Sequence, residues 1–291
     1  MFSATPRRLP EFGPKPQTKQ LRDPALGKQG WGSTEAGIIL LINLMPARHY
    51  PNAPITEALV DIRVNYAQGT TLEKLKKFGA EVRSQYPHEN TRDVVQGKID
   101  LSGPNPQSQS SRATVGYIFH SADRRQAVQV RMDGFTFSRF APYQSWDHLI
   151  DETKRLWGVF VTELEPTTVL RVAVRYINQI NLPLGSGQLS FENYFSTLPR
   201  IDTDQDVPLE QFFLRLVMPQ NDLHAQLILT EALLPQQGAS LGVILDIDLF
   251  RENLELSVRS GEIWDILDKF RERKNKYFEL SITDAARELF A

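Results

Sequence analysis

Asp133-Gly134 stands between two runs of alternating polarity, Ala127–Met132 and Phe135–Phe140. That dipeptide between alternating runs is the strongest short-range signal for a β-hairpin. A two-residue loop pairs Met132 with Phe135 and Arg131 with Thr136. Val128, Val130, Met132, Phe135 and Phe137 then share one apolar face, and Gln129, Arg131, Thr136 and Ser138 share the other. A sheet that is apolar on one side must be covered there, so the rest of the chain has to supply helices or a second sheet.

Two amphipathic helices answer that need. Thr70 and Glu73 form a capping-box pattern, and Leu72, Leu75, Phe78, Val82 and Tyr86 follow on one stripe up to Pro87. The second helix opens at Ser145 and carries Trp146, Leu149, Ile150, Thr153, Trp157, Phe160, Val161 and Leu164 before Pro166 closes it. Strands surround them. Ile55–Tyr66 alternates between Ala58, Val60, Ile62, Val64, Tyr66 and Glu57, Leu59, Asp61, Arg63. Thr114–His120 reads as a strand. Val169–Ile180 sets Leu170, Val172, Val174 and Tyr176 against Arg171, Arg175 and Gln179. Residues 88–112 are polar and read as a long loop.

The first half is therefore β-α-β-β-β-α-β, an α+β arrangement close to ferredoxin-like, with a mostly antiparallel sheet and both helices on one side. After Pro183–Gly187, a short helix is expected at Phe191–Leu198. Strands follow at Gln211–Met218, Leu223–Leu233 and Leu241–Phe250. A helix at Glu262–Tyr277 then carries Ile263, Ile266, Leu267, Phe270 and Lys274 on its stripe. A last short helix near Ser281 holds Ile282, Ala285 and Leu289. The expected division is a first lobe over 45–183 and a second, β-rich lobe with C-terminal helices over 184–291, unless the later strands extend the first sheet.

Residues 1–44 differ from the remainder. They are rich in Pro, Gly and Gln, lack an apolar period, and hold six Lys/Arg against three Asp/Glu. That is a net +3 within a total of −2, which leaves −5 for the rest. Such a stretch buries too little surface to offset its ordering entropy. Translation starting at Met45 is the first reading, a disordered basic tail the second, and an edge strand at Ile38–Leu44 the third. The chain has no cysteine, which excludes disulfides, cysteine-ligated zinc and a thiol nucleophile and fits a cytoplasmic setting. No apolar run approaches the ~20 residues of a membrane span.

Several segments resemble the "sporadically distributed protein" family of bacteria and archaea over about residues 46–291. They are Tyr50–Ala58, Leu170–Ile180, Val243–Asp248, Lys274–Phe278, Ser281–Thr283 and Arg287–Phe290. The resemblance implies a start near Met45 and an accessory or defence-type gene context. It implies no activity, cofactor or catalytic residue.

Among chemistry-bearing residues, Arg63, Arg131, Arg171 and Arg175 all fall on strand faces opposite the apolar ones. They form either a basic binding face for phosphate or an acidic partner, or a set of internal ion pairs with Glu57, Asp61, Asp246 and Asp248. Asp246 and Asp248 share a face and could hold Mg²⁺ as in a nuclease, but pairing with arginine is the favoured reading. Asp202, Asp204 and Asp206 open like an EF-hand loop, but Val207 and Phe213 occupy the positions that need Gly and Glu. His49, His88, His120, His148 and His224 show no zinc spacing. No phosphate-binding glycine loop or nucleophile elbow is present. The expectation is a non-catalytic binding or regulatory protein whose partner is another protein, with no cofactor, no membrane and room for a homodimer. The alternatives are a nucleic-acid-binding or nuclease component, and a small-ligand binder with a cavity between sheet and long helix.

Overall fold

The structure is a computed structural model and describes residues 48, 50–66, 70–100, 107–184, 190–197, 211–236, 238 and 240–291. The expectations for residues 1–44, for Gly185–Gly187 and for Asp202, Asp204 and Asp206 lie outside them.

Ten strands build one sheet. They are β1 (Ile55–Tyr66), β2 (His88–Asp100), β3 (Gln107–His120), β4 (Gln126–Arg131), β5 (Gly134–Phe140), β6 (Pro166–Pro183), β7 (Phe213–Gln220), β8 (Ala225–Leu233), β9 (Ser240–Arg251) and the short β10 (Leu256–Ser257). Their order is β2-β3-β4-β5-β1-β6-β9-β8-β7, with β10 added against β6. Every pairing is antiparallel. The helices are α1 (Leu72–Val82), α2 (Trp146–Leu164), α3 (Glu262–Ser281) and α4 (Asp284–Glu288). The α+β class, the antiparallel sheet and the expected order of elements are present, with two strands added, β2 and β10.

Local chemistry accounts for the helix limits. The Thr71 hydroxyl accepts from the Lys74 amide at the start of α1, and the Ser145 hydroxyl from the His148 amide at the start of α2. Glu165 ends α2 in a left-handed conformation, and Pro166 begins β6. The stripes on α1, α2 and α3 are buried against Val60, Ile62, Phe135, Val172 and their neighbours in one core. Phe160 sits at its centre, with its ring 5.4 Å from Phe135 and 5.1 Å from Trp157. None of the described helices is long and apolar enough to cross a membrane.

Three sequence expectations need correction. First, the described parts of 88–112, residues 88–100 and 107–112, are not a loop. They contribute β2 and the start of β3, paired from His88↔His120 to Asp100↔Gln107. Only Gly116–His120 of β3 also pairs with β4, so the rest is a two-stranded arm. Val94–Gly97 and Ser110–Ala113 of the arm are exposed on both faces, and the apolar period that marks a half-buried strand is absent there. Second, the second half does not form a lobe of its own beyond 183/184. β6 pairs with β9 from Val172↔Arg251 to Pro183↔Ser240, so the later strands extend the first sheet.

Third, the hairpin turns one residue early. Arg131 pairs with Gly134, so Met132 and Asp133 make the turn and Met132 is exposed. Gly134 serves close approach instead. Its φ is +156°, and a Cβ there would lie 2.3 Å from the Ile62 carbonyl oxygen. At the C-terminal end, α4 buries Ala286 and, just beyond it, Phe290 rather than Ala285 and Leu289. The Phe191–Leu198 helix is reduced to a single 3-10 turn at Phe191–Asn193.

Candidate functional site

The sheet face opposite the helices gathers the four arginines from adjacent strands. Asp61 on β1 is its hub. One carboxylate oxygen accepts from Arg171 at 2.7 Å, and the other accepts from Arg131 at 2.8 Å and from the Thr136 hydroxyl at 2.7 Å. Arg131 also donates to Asp133 at 2.8 Å and to Thr136. Arg63, at the rim, lies 3.7 Å from Asp61 and 3.5 Å from Asp133. Arg171 lies over the Phe250 ring, 4.5 Å from its centroid, and 3.5 Å from Glu252.

Arg175 grips Asp246 through Nε at 2.9 Å and Nη2 at 2.5 Å. Asp246 and two neighbouring carboxylates hold its pKa above the usual arginine value, against the opposing effect of burial. All four arginines are therefore paired within the face, and the internal-pairing alternative describes the geometry. Glu57, also expected in that network, contributes a favourable field at Arg175 and no direct ion pair.

Asp246 and Asp248 both lie on the arginine face, where Arg175 pairs with Asp246 and Arg171 lies near Asp248. Among the described residues no group of three or more His, Cys, Asp or Glu side chains could hold a metal ion. Asp248 is the least compensated member, with Arg171 at 3.9 Å. Burial pushes its carboxyl up to about 6, and Arg171 and Arg175 only partly offset this.

The folded pKa lies above the unfolded one, so the folded state holds this proton more tightly between pH ~4 and ~6. Stability from this group is complete below ~4 and lost as pH rises through ~6. Asp248→Asn is therefore expected to raise stability by about 2 kcal/mol at pH 7 and to leave it unchanged at pH 3.5. Urea denaturation at the two pH values tests this; an equal change at both would refute the assignment.

The helix-covered face holds two charged residues that sequence reasoning did not assign a role. Lys274 of α3 is buried, with Nζ 3.6 Å from the centre of the Tyr176 ring. The Tyr176 hydroxyl meets that of Tyr143 at 2.9 Å. Burial, helped by Arg271, depresses the Lys274 amine to about 7. Glu231 of β8 is fully buried. One of its oxygens accepts from Thr197, the other has no partner, and burial raises its pKa. A signal for both existed, since each lies in phase with an apolar stripe: Lys274 with Ile263, Ile266, Leu267 and Phe270, and Glu231 with Leu227, Leu229 and Leu233.

The large apolar side chains most open to water lie on the outermost strands. On β7 these are Phe213 (69% exposed) and Val217 (57%); on the arm they include Val95 (67%). Phe213, Arg215 and Val217 alternate on the open face, while Leu214, Leu216 and Met218 turn toward the helices. The far edge of β7 has no neighbouring strand among the described residues.

Segments distant in sequence meet where the ends of the fold come together. The Tyr50 ring packs edge-on against Phe290 at 5.6 Å and Phe278 at 6.2 Å, and its hydroxyl donates to Glu279 at 2.8 Å. Glu279 in turn accepts from Arg287 at 2.9 Å. The chain matches no protein-family model and no curated protein.

Proposed function

We propose that this chain is a non-catalytic binding module that engages another protein through the open edge of β7. The observation that carries the reading is the pair Phe213 and Val217, exposed together on an edge strand whose outer backbone groups have no partner strand among the described residues. An unpaired edge with apolar side chains on one face is the template for strand addition, in which backbone hydrogen bonds give affinity and alternate side chains give specificity. Pro219 lacks an amide donor near the end of β7, so the usable edge is the segment from Phe213 to Met218. The nucleic-acid alternative draws no support from the arginine face, because each of its four cations already has a carboxylate. Kinship to the sporadically distributed family, a cytoplasmic setting and an accessory gene context belong to the same proposal.

Comparative capture tests the edge. Full-length protein, Phe213→Glu/Val217→Glu and the opposite-edge control Val95→Glu are each used as bait at matched concentration. One protein is expected to co-purify stoichiometrically with wild type and with the control. Its yield with the double variant is expected to fall at least ~30-fold, as for loss of a central aromatic contact worth about 2 kcal/mol. Identical protein sets from all three baits would refute the proposal.

A further inference from the structure

A groove of about 400 Å³ runs between α2 and the turn that leads into α3. Lys154, Trp157 and Gly158 line it from α2, and Val258, Arg259 and Trp264 line it from the other side. The wall is rigid. The Trp157 indole donates to the Val258 carbonyl at 3.0 Å and stacks on Phe160 beneath. Trp264 is half-buried, which leaves part of its ring open, and Lys154 Nζ stands 5.5 Å from its centroid.

Two features separate this groove from an ordinary gap between helices. Its two cations, Lys154 and Arg259, are in no ion pair with any described residue, whereas the arginines of the sheet face are all paired. Gly158 lies inside a nineteen-residue helix, where glycine costs about 1 kcal/mol relative to alanine. A Cβ at that position would meet nothing within 4 Å. Packing within the chain does not require glycine there, and its absent side chain keeps the groove open.

We propose that this groove binds a small aromatic anion, its ring against Trp264 and its charge between Lys154 and Arg259. The charge follows from two cations that have no ion pair among the described residues, and the planar body follows from the part of the Trp264 ring left open. The volume lies within the range of ordinary small-molecule sites. The site lies among the helices and is independent of the β7 edge.

The test uses full-length protein and 8-anilinonaphthalene-1-sulfonate, read by probe fluorescence and by quenching of tryptophan. Its neutral relative, N-phenyl-1-naphthylamine, serves as the uncharged control. Saturable one-to-one binding of the sulfonate is expected. Lys154→Gln/Arg259→Gln is expected to weaken it at least tenfold and to change binding of the neutral probe less than twofold. Both replaced side chains are exposed, so the fold is retained, which thermal melting confirms. Gly158→Phe is expected to abolish binding of both probes. Non-saturable sulfonate binding, or charge variants that bind like wild type or lose both probes equally, would overturn the proposal.

Discussion

Asp61→Ala is expected to destabilise the protein by about 3 kcal/mol, the lower end of the range for removing one partner of a buried charge network. Asp61 is 13% exposed at its side chain and is shared by Arg131 and Arg171, themselves 9% and 13% exposed. Its removal leaves two guanidinium groups, both within 3 Å of the deleted carboxylate, with reduced compensation. Arg131 keeps Asp133 at 2.8 Å and Arg171 keeps Glu252 at 3.5 Å, which is why the larger values of that range are not expected. Urea unfolding at pH 7 measures the difference. The triple change Asp61→Leu/Arg131→Met/Arg171→Met should recover most of the loss, because the desolvation cost disappears with the charges. If Asp61→Ala changes stability by less than ~0.5 kcal/mol, the network is a surface arrangement with little energetic weight.

Lys274→Met is expected to act in the opposite direction. The lysine's folded pKa, about 7, lies below its unfolded value of 10.5, so the unfolded state binds the proton more tightly. Stability from this group rises with pH between ~7 and ~10.5, and the penalty is largest below ~7. Methionine fills the same space without charge. It should stabilise the protein by about 3 kcal/mol at pH 6, less the lost contact with the Tyr176 ring, and by close to nothing at pH 10.5. Calorimetry at the two pH values separates these outcomes; a destabilised variant at both would show the amine to be well compensated. A residue that costs stability where methionine would not is a place to look for selected function, since such costs concentrate at functional sites.

Much of the scaffold was legible because it depends on short-range periodicity. Leu75, Phe78 and Val82, and the α2 stripe from Trp146 to Leu164, are buried as their spacing requires. The arm was not legible, because a strand with water on both faces carries no apolar alternation; Val94 and Val95 are simply adjacent and exposed. The hairpin register was missed by one residue. Asp133-Gly134 satisfies the turn rule, while the closeness of Gly134 to Ile62 depends on β1, far away in sequence.

The same limit applies to the site. Parity placed Arg63, Arg131, Arg171 and Arg175 on one face correctly. Their pairing depends on strand order, which periodicity does not encode. The groove cations were invisible for the same reason, since Lys154 and Arg259 come together only when the turn before α3 packs on α2.

The central place of β1 has a consequence for synthesis. It is the first described strand to leave the ribosome, yet both its partners come later: β5 begins at Gly134 and β6 at Pro166. At ~5–20 residues per second, β1 waits for several seconds with both edges bare. Its Val60, Ile62 and Val64 form the kind of alternating segment that self-associates when unpaired. Glu57, Asp61 and Arg63 on its other face then act as gatekeepers in the nascent chain before any of them has a folded partner. The charges that organise the finished sheet thus also keep its first strand from associating with other chains while the rest is made.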